Sequence, residues 1–141
     1  MEEDINTYLA MIEAYREQLE AIDAQSAYIQ ALINDYVKAK ITIENLEKEG
    51  KKDVLLPIGG GIFIPAKCDK VTEVLVSEGA DIVIKKNLKD AKESLDSKVK
   101  DLQDSLKRLG ESYQKIQARM EEISQKVREI MEKKVEVCSS F

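Results

Sequence analysis

The side chains best placed to do chemistry in this 141-residue chain are Cys68 and Cys138, beside a run of three glycines, Gly59-Gly60-Gly61; histidine is absent. A thiol that holds zinc or cycles redox needs a partner ligand at close spacing, and these two cysteines stand far apart. Without histidine the usual acid–base and nucleophile–base pairs cannot be assembled. The glycines are followed by "IFIPAK", with no Gly-Lys-Ser/Thr and no helix to open, which argues against a phosphate cradle. Their remaining use is to supply the positive φ of a tight hairpin turn. No catalytic, metal or cofactor site is expected, and the chemistry left to the chain is that of surfaces.

Composition points the same way. The chain is 35% charged, 43% hydrophobic and only 5% aromatic, with two prolines, a profile of long solvated helices. A net charge of -5 argues against binding nucleic acid through phosphate contacts, which need a basic face. No apolar run reaches membrane-spanning length, and "MEEDINTYLA" is acidic where a signal peptide is basic and then apolar. The chain therefore reads as intracellular, with no membrane or nucleic-acid partner, and its cysteines as free cytoplasmic thiols.

Two segments carry helical spacing. In the first, Ile5, Tyr8, Ile12, Tyr15, Leu19 and Ile22 alternate steps of three and four, a two-position heptad seam. It continues through Leu32, Tyr36, Ala39, Ile43 and Leu46, after two consecutive steps of three at Ser26, Ile29 and Leu32 that shift its phase. Asp4 is read as the N-cap and Gly50 as the stop. In the second, one seam position holds Leu88, Leu95, Leu102, Leu109, Ile116, Ile123, Ile130 and Val137, and the other Val99, Leu106, Tyr113, Met120 and Val127. Asn87 is its expected cap, with Asp90 three residues on. About 45 helical residues run ~65 Å, and one narrow apolar stripe cannot stay exposed over such a length. The spacing predicts an antiparallel coiled-coil hairpin.

Between the helices the period changes. Val54–Ile58 and Ile62–Ala66 read as strands around the glycines, and Val71–Val76 and Asp81–Lys85 as a second pair around Ser77-Glu78-Gly79-Ala80. Val74, Val76, Ile82 and Ile84 alternate with further apolar residues, so these strands want cover on both faces. Two hairpins in one chain cannot supply that cover or hide their edges. Val54, Leu55, Ile58, Ile62, Ile64, Val74, Val76, Ile82 and Ile84 are therefore the expected oligomer interface. The fold class is α+β, mostly α, in one domain: a helix over 4–49, two β-hairpins over 53–86 and a helix over 87–137. Near both chain ends apolar residues fall outside the strict seam, at Leu9, Met11, Met131, Val135 and Phe141. Methionine adapts to varied partners, which suits a promiscuous surface, although such residues can equally finish the coiled coil. Charges crowd the same region and read as a solvated rim.

This layout resembles the α-class subunit of prefoldin. "LLPIGGGIFIPAK" is similar to that class's first hairpin, and "VLVSEGADIVIKKNLKDA" to its second hairpin running into a capped helix. The β class has a single hairpin. The resemblance implies an ATP-independent holdase, a hexamer of two α and four β subunits whose hairpins form two β-barrels with six coiled-coil tentacles. Non-native polypeptides are then held at the tips and passed to a group II chaperonin. Ile5, Tyr8, Ile12, Val127, Ile130 and Val137, with the off-seam residues above, become the expected client surface. A related variant builds homomeric filaments from α-class-like subunits, and the sequence leaves that alternative open.

Overall fold

The computed structural model describes residues 2–139, so the expectation placed on Phe141 lies outside the described residues. The element order is α1 (Glu2–Glu49), β1 (Lys52–Gly59), β2 (Ile62–Cys68), β3 (Glu73–Ser77), β4 (Val83–Asn87) and α2 (Leu88–Ser139). The chain divides into two compact units, one made of Met1–Gln30 with Gln103–Phe141 and the other of Ala31–Leu102.

Both helices end as their sequences dictate, with one correction. Gly50 takes φ 68°, the left-handed stop that lets α1 finish at Glu49. The Asp90 amide donates to Asn87 Oδ1 at 2.7 Å, satisfying an amide the helix itself cannot. Asn87→Ala should therefore cost about 1 kcal/mol in urea unfolding, while Asn87→Asp keeps the acceptor and most of the stability. Asp4, expected as a cap, lies inside α1, which already runs from Glu2. There its carboxylate meets the positive end of the helix dipole instead of an orphan amide. Gly110 sits within α2 without breaking it.

Each hairpin is its own two-stranded antiparallel sheet. In the first, Leu56 pairs with Ile64 and Leu55 with Pro65, with a bulge between Pro57 and Gly59. The loop Gly60-Gly61 has φ of 60° and 75°, and positive φ at both central residues is what a type I′ turn requires. A Cβ at either glycine would meet open space, so replacement is opposed by backbone strain alone. Gly60→Val and Gly61→Val should each cost on the order of 1–3 kcal/mol and lower the yield of assembled protein. Oligomer mass and melting midpoint check this, and wild-type values for both variants would contradict it.

The second hairpin is displaced from its expected place. β3 starts at Glu73, not Val71, and β4 starts at Val83, with Asp81 and Ile82 in the turn. Ser77 pairs with Val83, and the Ile82 amide bonds the Gly79 carbonyl at 2.9 Å. The central turn residues are thus Ala80 and Asp81, both left-handed at φ 47° and 61°. Alanine at positive φ costs about 1–2 kcal/mol, so local propensity pointed to a turn centred earlier, at Gly79.

Candidate functional site

Within the unit Ala31–Leu102 the helices pair antiparallel. Lys40 Nζ donates to Asp96 Oδ1 and Oδ2 at 2.7 and 2.9 Å, and Lys92 Nζ to Glu47 Oε2 at 2.8 Å, so partners descend α2 as α1 advances. The Asp96 hydrogen bond holds the Lys40 ammonium above its ordinary pKa. Lys98 sits over the Tyr36 ring, 5.7 Å from its centroid. These contacts are solvent-accessible and fix register more than stability.

The second hairpin leans on this helix pair. Val74 and Val76 of β3 share a cleft of about 330 Å³ with Tyr36, Ala39 and Ile43 of α1 and Ala91 and Leu95 of α2. Ala91, on the wall of this cleft, is only 3% exposed. Val74 and Val76, expected at an oligomer interface, are half-buried against their own chain. Leu75, which the alternation sets on the opposite face of the strand from Val74 and Val76, is 70% exposed. Ile84, opposite Val76, stays exposed, and Ile82 is exposed in the turn.

The first hairpin has no such cover. Leu55, Leu56, Ile58, Ile62, Phe63 and Ile64 are 47–65% exposed, and they occupy both faces of the ladder; Val54 is half-buried. A lone two-stranded hairpin is marginal in water, and this one presents six large apolar side chains. Leu56 and Phe63 join the expected set, since the alternation places them opposite Ile64 and Pro57. On α1, Val37 and Ile41 are also exposed and line a shallow cleft with Val99. Their i, i+4 spacing was visible in the sequence, beside the seam rather than on it.

In the unit formed by Met1–Gln30 and Gln103–Phe141, the seam is closed at Ile5, Leu19, Ile29, Ile123 and Val127, each 8% exposed. Tyr8, Ile12 and Ile130 are half-buried. Past Ile130 the seam opens. Met131, Val135 and Val137 of α2, with Leu9 and Met11 of α1, are 37–68% exposed. Of the eleven expected client contacts, Ile5 and Val127 are thus buried in the helix pair, and these five are exposed. Cys68 and Cys138 are free thiols, and no metal-ligand cluster occurs among the described residues. No described helix is long and apolar enough to cross a membrane.

The described architecture is thus a pair of helices joined through two hairpins, one of them exposed and apolar on both faces. The family model described as prefoldin subunit matches residues 15–133. Proteins named prefoldin subunit alpha are similar: 31% identical over 98 residues in Methanobrevibacter smithii, covering 70% of this chain and 62% of that one. Prefoldin subunit alpha 1 of Methanocaldococcus jannaschii is 31% identical over 103 residues, 72% of this chain and 69% of its own. The fold matches filamentous prefoldin from Methanocaldococcus jannaschii, with TM-score 0.55, 24% identity, and 89% and 99% of the two chains covered. It also matches the prefoldin beta subunit from Thermococcus strain KS-1, with TM-score 0.63, 19% identity and coverage of 89% and 90%. The chain belongs to the prefoldin family, and within it to the α class.

Proposed function

We propose that this chain is the α-class subunit of an ATP-independent holdase, which binds non-native polypeptides and delivers them to a group II chaperonin. The observation that carries the reading is the division of exposed apolar surface between the two units. In Ala31–Leu102 most of it lies on the hairpins, with Val37 and Ile41 of α1 beside them, and the strand edges and two apolar faces suit barrel formation with other subunits. In the other unit, Tyr28 apart, it lies near the chain ends on Leu9, Met11, Met131, Val135 and Val137, and adaptable methionines there suit weak contacts to many sequences. Binding, not catalysis, is the activity such surfaces support.

The test is dilution of a chemically denatured client into buffer with the assembled protein and no nucleotide. Light scattering should fall at near-stoichiometric ratios, and unchanged scattering would contradict the reading. Partners are β-class subunits in a hexamer of two α and four β. A second reading, a homomeric filament, is favoured by the likeness to a filamentous prefoldin. Native mass spectrometry separates them: a finite mass with a β-class partner, or a mass that grows with concentration when the chain is alone.

A further inference from the structure

The charge of the chain is unevenly divided. Residues 31–102 balance thirteen Asp and Glu against thirteen Lys and Arg, so the whole net charge of -5 falls in the other unit. It falls there mainly on α1, because residues 1–30 hold seven carboxylates and a single basic residue, Arg16. Arg16 is taken up by Glu13 at 3.3 Å. Glu17, Glu20 and Asp23 are exposed and enter no ion pair among the described residues. Leu9, Glu13 and Glu20 stand on one row of the helix, at i, i+4 and i+11, so exposed apolar and anionic groups share one face. The α2 segment, residues 103–141, carries seven acidic and eight basic residues and does not offset this field.

We propose that the exposed apolar face of residues 2–30 takes unfolded segments in which Lys or Arg alternates with apolar residues, in preference to acidic segments of equal hydrophobicity. This rests on the holdase reading and adds the chemical class of client. Apolar contact alone cannot choose between such segments, since both offer the same buried area. The field chooses. A surface of one sign raises the local concentration of oppositely charged partners and repels like charge, and it does so within a Debye length of about 8 Å at 0.15 M salt. The balanced unit carries no such bias, which leaves copies free to associate through it without charge repulsion.

The test uses two fluorescent peptides kept disordered by glycine and serine, with identical leucine and phenylalanine content, one spaced by lysine and one by glutamate. Titrated with the assembled full-length protein at low salt, the lysine peptide should bind roughly tenfold tighter, and the gap should close in high salt. In the Glu17→Lys/Glu20→Lys/Asp23→Lys variant the preference should vanish or invert, and in Glu17→Gln/Glu20→Gln/Asp23→Asn it should shrink. Equal affinities, or a preference untouched by the charge reversal, would overturn the proposal while leaving the holdase reading intact. Binding of neither peptide would remove both.

Discussion

Aspartate at Leu56, or at its cross-strand partner Ile64, is expected to dissociate the assembled protein while leaving its helical content unchanged. Within the single chain both side chains are about half exposed, so a carboxylate there meets water and costs the isolated subunit little. The same carboxylate inside a closed barrel is an unpaired buried charge, worth several kcal/mol, and it recurs in every copy. Leu55→Asp and Phe63→Asp place the charge on the opposite face of the ladder. One of the two faces must point into the barrel, and the pair on that face should show the larger effect, at least a hundredfold weaker association. Val74 and Val76 are poorer positions for this test, because they are half-buried against their own helices and substitution would disturb the subunit itself. Unchanged sedimentation of all four variants would remove the hairpins from the interface.

What was legible in the sequence divides by the range of the forces involved. The α2 seam from Leu88 to Ile130 is half-buried or buried throughout, because a seven-residue repeat of Leu, Ile and Val can hide only on one stripe. The first hairpin was equally legible, since three glycines between β-branched runs leave one economical turn. The second was misplaced by two residues because its turn centres on Ala80 and Asp81, and alanine gives no sign of a positive φ. On α1 the phase shift was visible, yet Ile33, the most buried residue of that helix, was not assigned to the seam. Two-position heptad reading admits Leu32 and stops there, whereas the shifted helix turns Ile33 inward as well. The burial of Ala91 depends on the cleft it shares with β3, a tertiary fact with no local pattern, whereas the alternation of the strand already set Leu75 opposite Val74 and Val76. At the helix ends the off-seam residues were found, but only packing separates the buried Ile5 and Val127 from the exposed Met131 and Val135.

Removing residues 1–11 and 128–141 is expected to abolish suppression of aggregation while the oligomer stays intact. The excised segments hold Leu9, Met11, Met131, Val135 and Val137, the large exposed apolar side chains nearest both chain ends among the described residues. The hairpins that would hold subunits together lie in the unit Ala31–Leu102 and are untouched. Each such side chain contributes about 1.5–3 kcal/mol when fully buried, so one tip residue holds a client weakly. Several copies facing one unfolded chain multiply the effect through avidity. Single changes such as Met11→Ser or Met131→Ser should therefore reduce protection by less than half. A variant with all five residues changed to serine keeps both helices at full length and should behave like the truncation, which separates lost contacts from a frayed coiled coil.

The decisive measurement is light scattering of one denatured client diluted, without nucleotide, into the intact protein, the truncated protein and the five-serine variant at matched oligomer concentration. The expected result is protection by the intact protein alone, with all three showing the same oligomer mass. Equal protection by the truncated and five-serine oligomers would contradict it, and would move the client surface to the hairpins or to the helix flanks at Val37 and Ile41.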